Sequence, residues 1–182
     1  MSNKYNKKII IATGGTGGHI FPAYSLAKHF LEKDINVEIV SDKRGLRYLR
    51  DIEDVKIIKI GSSTIFQKNI LKSLSSIFLI LFSFFKSIFY LVFNRPNLIF
   101  GMGGYSSFTV CIASKILNIP FIIYENNLHI GKANKYLLPF SHKLFVAYKE
   151  TEGILEKYIS KKVEIGNIIR KEILNYEPKK KS

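Results

Sequence analysis

The sequence has 182 residues, of which 47% are hydrophobic, so one domain with a full core fits its length and global disorder is excluded. Its net charge of +14 indicates an anionic partner: nucleic acid, an anionic membrane surface or a phosphorylated substrate. Its single cysteine, Cys111, excludes a disulfide framework and a zinc site, and the apolar residues around it favour a buried thiol.

The chain begins with an apolar run that breaks into a glycine-rich turn. Lys8–Thr13 is typical of a central parallel strand, and four glycines within 14–18 then surround Thr16. A helix is predicted over about Phe21–Lys33, with Pro22 in its first turn, where proline is tolerated. Because a helix start carries free N–H groups and a positive dipole end, we expect this turn to face an anion.

Two common nucleotide motifs do not fit this glycine turn. A dinucleotide fingerprint counted from Gly15 needs glycine at position 20, where the chain has Ile20, although Asp42 lies where a ribose-binding acid would follow. A P-loop would need Gly-Lys-Ser/Thr, which does not follow. The turn is therefore either a close backbone contact for a phosphate or sugar, or only a tight turn.

His19 lies at the predicted start of this helix, where the dipole disfavours a cation. A neutral imidazole at that place can act as a general base, and a purely structural histidine is the alternative.

A long apolar segment, Gln67–Phe93, follows two further strands at Val37–Ser41 and Val55–Ile60 and a short helix or turn at Arg44–Asp51. It contains no Gly or Pro and is predicted to be one helix. One apolar face comprises Phe78, Phe82, Phe85 and Phe89, a second comprises Ile77, Leu81, Phe84, Ile88 and Leu91, and a thin polar stripe comprises Lys72, Ser76, Ser83, Lys86 and Ser87. This surplus of apolar surface has three interpretations: a transmembrane span, docking on an anionic membrane, or burial against a missing domain or partner.

The second half continues the alternation of strands and helices. Strands are predicted at Leu98–Phe100, Phe121–Tyr124, Leu144–Ala147 and Val163–Ile165, helices at about Ser106–Leu117, Gly131–Leu138 and Lys149–Tyr158, and a short helix with a lysine tail at the end. This order predicts an α/β fold, a Rossmann-like doubly wound parallel sheet with right-handed crossovers.

Ligands of such sheets bind at the carboxyl ends of the strands, which places three loops on one rim. They are the first glycine turn, a second one at Gly101–Tyr105, and the polar cluster Glu125–Asn127. Glu125 is either a catalytic or orienting acid or a helix cap, and Asn127 either binds sugar hydroxyls or serves the turn.

Four motifs, in order and at suitable spacings, resemble those of the MurG family of bacterial N-acetylglucosaminyltransferases, glycosyltransferase family 28. They are GGTGGHIFPA at 14–23, GMGGY at 101–105, YENN at 124–127 and GNIIR at 166–170. Tyr124, Asn126 and Ile168 depart from the family's His, Gln and Pro. The resemblance implies the N-terminal, acceptor-binding domain of a GT-B fold at residues 1–175 and a basic tail at 176–182, with the donor-binding domain outside this sequence.

The resemblance also implies an activity, a transfer of GlcNAc with inversion that needs neither metal nor cofactor. The donor is UDP-GlcNAc, the acceptor is lipid I (a muramyl pentapeptide on undecaprenyl pyrophosphate), and the product is lipid II for peptidoglycan synthesis, hence for cell shape and division. The expected place is the cytoplasmic face of the inner membrane, bound peripherally to its anionic surface. A separate donor-domain chain is an open alternative, and no nucleic-acid partner is expected.

The resemblance assigns roles to particular residues. His19 is the candidate base, Glu125 is a competing base or its electrostatic support, Asn127 touches the donor sugar and Arg170 the nucleotide side. The remaining substrate contacts are expected at Gly15, Thr16, Gly17, Gly18, Gly103, Gly104 and Tyr105. Two other hypotheses stay open: a non-catalytic membrane module that binds polyprenyl-pyrophosphate lipid, and a nucleotide-dependent oxidoreductase, which the glycine spacing disfavours.

Overall fold

The computed structural model describes residues 7–50, 52–61 and 70–169. The strands are β1 Lys8–Ala12, β2 Asn36–Ser41, β3 Lys56–Lys59, β4 Leu98–Gly101, β5 Phe121–Glu125, β6 Lys143–Val146 and β7 Lys162–Glu164. The α-helices are α1 Gly17–Leu31, α2 Ile70–Phe93, α3 Tyr105–Ile116 and α4 Lys132–Leu137, and short 3₁₀ helices span Gly45–Tyr48 and Glu156–Lys161.

The seven strands form one parallel sheet in the order β3-β2-β1-β4-β5-β6-β7, which confirms the predicted doubly wound α/β fold. β1 is an interior strand, the third of the seven, where Ile10 and Ile11 are both fully buried and belong to the two separate cores on opposite faces. This alternation follows from the two-residue period of a strand, and it explains why β1 is an unbroken apolar run. The carboxyl end of β1 thus opens on the rim between the ends of β2 and β4.

Two predicted helices differ from the structure. α1 begins at Gly17, four residues before the predicted start, because Thr16 is extended (φ −109°, ψ 162°) and serves as its N-cap. The predicted helix at Lys149–Tyr158 is wrong. The backbone of Glu152 instead pairs with the segment 128–130, and Gly153 has φ +80°, which ends any right-handed helix there.

The serines of the predicted polar stripe of α2 do not face solvent, whereas Lys86 of the same stripe is exposed. Ser76, Ser83 and Ser87 are buried, at 1%, 2% and 0% exposure, and this side of the sheet is where α2 packs against α3. Small side chains permit close approach of two helices, and the Ser87 hydroxyl donates to the Ser83 carbonyl (2.7 Å), so that hydroxyl needs no solvent. The apolar surplus therefore faces outward.

The predicted domain end at 175, the basic tail at 176–182 and the terminal short helix lie outside the described residues.

Candidate active site at the two glycine turns

The two glycine turns meet at the carboxyl ends of β1 and β4. Gly104 has φ +83°, and a Cβ there would lie 2.8 Å from the Gly14 carbonyl oxygen. On the other side of this contact, a Cβ on Gly14 would overlap the Ser106 hydroxyl, which donates to the Thr13 carbonyl (2.8 Å). Glycine is therefore required at both positions so that the backbones can touch.

Asp42 anchors the first glycine turn from the end of β2. Its carboxylate is 2% exposed and accepts hydrogen bonds from the backbone N–H groups of Gly15 (3.2 Å) and Gly45 (2.8 Å). Arg44 pairs with its other oxygen (3.2 Å). Asp42, which lies where a ribose-binding acid would follow β2, is therefore engaged by the chain's own groups. Its position gives no support to a dinucleotide site.

His19, in the first turn of α1, packs against the second glycine turn. A Cβ on Gly103 would lie 2.9 Å from both Cδ2 and Nε2 of the imidazole, so the ring rests on the glycine face. Burial lowers the pKa of His19 below its usual 6.5, against the Glu125 charge and the Gly14 carbonyl, which both raise it. The ring is thereby biased toward the neutral form at pH 7.

The two nitrogens of His19 differ in their surroundings. Nδ1 is buried and makes no hydrogen bond of regular geometry within the described part of the chain, although the Gly14 carbonyl lies near enough to favour the protonated ring. Nε2 lies at the Gly103 edge and is the nitrogen left to exchange a proton with the rim.

Glu125, the last residue of β5, is 2% exposed and accepts four hydrogen bonds. Oε1 accepts from the N–H (3.1 Å) and side-chain amide (2.7 Å) of Asn127, and Oε2 from the N–H of Gly131 (2.8 Å) and the amide of Asn134 (3.0 Å). Both oxygens are engaged, so this carboxylate orients the loop that follows β5. It is poorly placed to take a proton from a ligand.

These elements enclose a cleft of about 290 Å³. Its lining is His19, Gly103, Gly104, Tyr105, Glu125, Asn127, Gly131, Lys132, Ala133 and Asn134. Six of the residues expected at the site are therefore neighbours. Gly15, Thr16, Gly17 and Gly18 lie beside this cleft and do not line it; the Gly18 carbonyl accepts from the Asn126 amide (3.0 Å). Arg170 lies outside the described residues.

Four lining residues at the start of α4 were not singled out from the sequence: Gly131, Lys132, Ala133 and Asn134. The sequence places them in a short helix without a motif, and only the fold brings that helix to the rim. Polar residues shortly after Glu125–Asn127 were the available signal.

A model of the glycosyltransferase family 28 N-terminal domain matches residues 9–146. The chain belongs to glycosyltransferase family 28. The resemblance read from the motifs is confirmed, and three of the four, the two glycine turns and the motif at the carboxyl end of β5, lie within the matched range.

Relatives within family 28 carry one name, UDP-N-acetylglucosamine–N-acetylmuramyl-(pentapeptide) pyrophosphoryl-undecaprenol N-acetylglucosamine transferase. The protein from Pelagibacter ubique is 34% identical over 177 residues, covering 97% of this chain and 49% of its own length. That from Rickettsia canadensis is 35% identical over 173 residues, covering 93% and 46%. The crystal structure of Acinetobacter baumannii MurG superposes with a TM-score of 0.72 at 26% identity, over 87% of this chain and 45% of that one. The chain thus spans about half the length of the curated relatives it matches.

One family 28 motif differs here in a way that the structure explains. Tyr124 is 2% exposed, and its hydroxyl donates to the Gly166 carbonyl (3.2 Å) and accepts from the Ile168 N–H (3.2 Å). Asn167 donates to the Tyr148 hydroxyl (3.2 Å). The tyrosine at this motif position therefore holds the segment 166–168 against β5.

The outer face of α2 is apolar and exposed in this family 28 domain. Phe78, Phe82, Phe85 and Phe89 are 62% to 70% exposed. Within the described residues, Ser76–Phe93 is the one helical stretch long and apolar enough to cross a bilayer, by length and composition alone, with a mean hydropathy of 2.1. The same helix joins β3 to β4 and packs on α3. One of its faces is therefore part of the domain's interior packing.

Proposed function

We propose that this chain is the acceptor-binding half of an N-acetylglucosaminyltransferase that moves GlcNAc from UDP-GlcNAc to lipid I, giving lipid II. One observation carries the proposal: a histidine biased toward the neutral form lines a cleft together with the glycine turn on which it packs, at a helix start. The names of the family 28 relatives supply the substrates.

In the proposed step His19 is the general base. An acceptor hydroxyl of the muramyl sugar attacks the anomeric carbon of GlcNAc while the bond from that carbon to the UDP oxygen breaks. The hydroxyl proton passes to the neutral imidazole, the electron pair of the broken bond leaves with UDP, and the configuration inverts. A base of this kind typically contributes about 100-fold to 10,000-fold in rate.

Glu125 serves as electrostatic support. Its oxygens are engaged by Asn127, Gly131 and Asn134, while its charge favours the imidazolium that forms during transfer. Asn127, held by Glu125, is the proposed contact for the donor sugar. This division makes Glu125 a positioning residue and leaves proton transfer to His19.

The glycine turns are the proposed contacts for phosphate. α1 and α3 both start at these turns, and neither helix has an acidic residue in its first turn. The N–H groups and dipoles of both helix starts therefore favour an anion. Gly103, Gly104 and Tyr105 would hold the lipid pyrophosphate, Gly15, Thr16, Gly17 and Gly18 the pyrophosphate or donor, and Arg170 the nucleotide side.

The exposed face of α2 is the proposed membrane contact, at the cytoplasmic face of the inner membrane. Aromatic side chains on one helix face suit the boundary between headgroups and acyl chains, and the chain's charge of +14 suits an anionic leaflet. Phe82→Glu with Phe85→Glu should release the protein from phosphatidylglycerol vesicles in a flotation assay, while Tyr136→Glu on α4, equally exposed, should not. Unfolding of the double variant, seen by circular dichroism, would instead make this face part of a core.

The transferase proposal is tested by adding a donor-binding domain from a relative. The chain is mixed with the C-terminal part of the Pelagibacter ubique relative, and transfer of radiolabelled GlcNAc to a lipid I analogue is measured. Transfer that needs both parts, and that His19→Ala lowers by much more than it lowers acceptor binding, is the expected result. Acceptor binding without transfer in any combination would instead indicate a non-catalytic lipid-binding module.

A further inference from the structure

The segment 166–168, which follows β7, is bound by a side chain of β5. β7 is the last strand of the sheet and lies two strands away from β5, roughly 10 Å at the usual strand spacing. The chain first continues along β6, where the Ile165 N–H donates to the Val146 carbonyl (3.0 Å). It then turns at Gly166, whose φ of +79° lies in the left-handed region that favours glycine. After this turn the backbone lies within reach of the Tyr124 hydroxyl.

The Tyr124 hydroxyl bonds to the backbone on both sides of Asn167. It donates to the Gly166 carbonyl and accepts from the Ile168 N–H, each at 3.2 Å. Tyr124 is 2% exposed, and Ile168 packs against the same core, so the ring that carries this hydroxyl is itself held in place. One hydroxyl therefore restrains two consecutive peptide groups.

The second of these bonds depends on which residue stands at position 168. A proline has no N–H and could not donate to the tyrosine. The family 28 motifs carry histidine and proline where this chain has Tyr124 and Ile168. Isoleucine in place of proline by itself leaves the backbone freer, and the tyrosine hydroxyl supplies a restraint in its stead. The two departures from the motifs therefore fit each other.

Tyr124 also lies between the two proposed donor contacts. The next residue, Glu125, holds Asn127, the proposed contact for the donor sugar. Arg170, the proposed contact on the nucleotide side, follows Ile168 by two residues. Because two residues span at most about 7 Å, a restraint on Ile168 also limits where Arg170 can lie.

We propose that Tyr124 and Ile168 act as a pair that positions Arg170 relative to Asn127, so that both donor contacts are held ready for UDP-GlcNAc. The inference rests on the proposed function and deepens it, because it assigns to Tyr124 a role in donor binding that is separate from the acceptor cleft. Tyr124 is not among the residues that line that cleft. It is a positioning residue, which acts through the backbone that it holds.

Amide hydrogen exchange in the 182-residue protein, followed by NMR, tests the pair itself. Tyr124→Phe keeps the ring and removes the hydroxyl, so the Ile168 N–H should exchange about tenfold faster. The Ile11 N–H in β1 should exchange as in the wild type, which separates local release from global destabilisation. Tyr136→Phe, at a tyrosine of α4 that is 68% exposed, is the matched control and should leave the Ile168 N–H unchanged. An unchanged Ile168 N–H in Tyr124→Phe would overturn the pair.

Steady-state kinetics test the positioning role, with this chain mixed with the C-terminal part of the Pelagibacter ubique relative. Tyr124→Phe should raise the KM for UDP-GlcNAc about tenfold, while kcat and the binding of the lipid I analogue stay nearly unchanged. Ile168→Pro removes the donor N–H and should raise the same KM in the wild-type background, but should add little to Tyr124→Phe. Equal effects of Ile168→Pro in both backgrounds would show that the two residues do not act as a pair.

The remaining outcomes separate this inference from the proposed function. Faster exchange of the Ile168 N–H in Tyr124→Phe without a change in the KM for UDP-GlcNAc would overturn the positioning role and leave the proposed function in place. A loss of lipid I binding as large as the rise in KM would make Tyr124 a general structural residue. Absence of transfer by the wild-type mixture would overturn the proposed function and the role in donor binding together, and the exchange experiment would still decide whether the pair exists.

Discussion

The two glycine turns begin alike and are held in different ways. Each follows a buried parallel strand and starts a helix without an acid in its first turn. The first is held by a charge, since Asp42 accepts the Gly15 N–H. The second is held by contact, since Gly104 touches the Gly14 backbone and Gly103 the His19 ring. The proposed base therefore stands on α1 and is positioned by the turn that starts α3.

His19→Ala gives the largest expected effect, because it removes the group that joins the two turns. In the two-part enzyme, transfer should fall about 100-fold to 10,000-fold, the usual contribution of a general base. Acceptor binding should fall far less, since the proposed phosphate contacts are made by other residues of the site. Equal losses in transfer and binding would make His19 a binding residue.

A glycine series separates contact from conformation. Gly104→Ala combines a positive φ with a backbone overlap and should cost about 3 kcal/mol of unfolding free energy. Gly15→Ala has φ +86° but open space around it, and should cost about 1 kcal/mol. Gly18→Ala, inside α1 with no atom nearer than 3.7 Å, should be neutral or slightly stabilising. Urea denaturation measures all three, and equal costs would remove the distinction between the turns.

Asp42→Asn tests the charge that holds the first turn. The neutral amide loses the ion pair with Arg44 and weakens the bonds from Gly15 and Gly45, so the unfolding free energy should fall by about 1–2 kcal/mol. Glu53→Gln, at an exposed acid in the same connection between β2 and β3, is the control and should change little. A stability equal to that of the wild type would show that the carboxylate is not what fixes this turn.

The smallest effect is a shift in the titration of His19. Because burial lowers its pKa, the ring should titrate below 6.5 in the folded chain, and transfer should decline only as pH falls through that lowered value. Glu125→Gln removes a charge that raises the pKa, so the titration should move further down. Two-dimensional NMR of the ring protons measures both, with the urea-unfolded chain as reference. A folded-state value above 6.5 would contradict the neutral base.

Much of this fold follows from the sequence through strand and helix periodicity. The apolar run of β1 and the alternation of strands and helices were sufficient to predict the parallel sheet. Because ligands of such sheets bind at the carboxyl ends of the strands, both glycine turns and Glu125 were predicted to lie on one rim. The start of α1 was missed because helix propensity argues against Gly17 and Gly18, whereas the extended Thr16 sets the boundary.

The parts that the sequence did not predict depend on tertiary contacts. The serines of α2 are typical surface residues by composition, and their burial depends on how α2 packs on the rest of the domain. The segment 149–158 has acceptable helix propensity. Its Glu152, however, makes its backbone hydrogen bonds with Leu128 and Ile130, so a helix does not form there. Asn134 and Lys132 carry no motif, and the loop that Glu125 organises brings them to the cleft.

Comparative binding of the two substrates tests the central claim most directly. Calorimetry of the 182-residue chain should show saturable binding of a lipid I analogue and little or no binding of UDP-GlcNAc, because the cleft lined by His19 and the second glycine turn is the proposed acceptor site. Tight binding of UDP-GlcNAc without binding of the lipid I analogue would contradict the account.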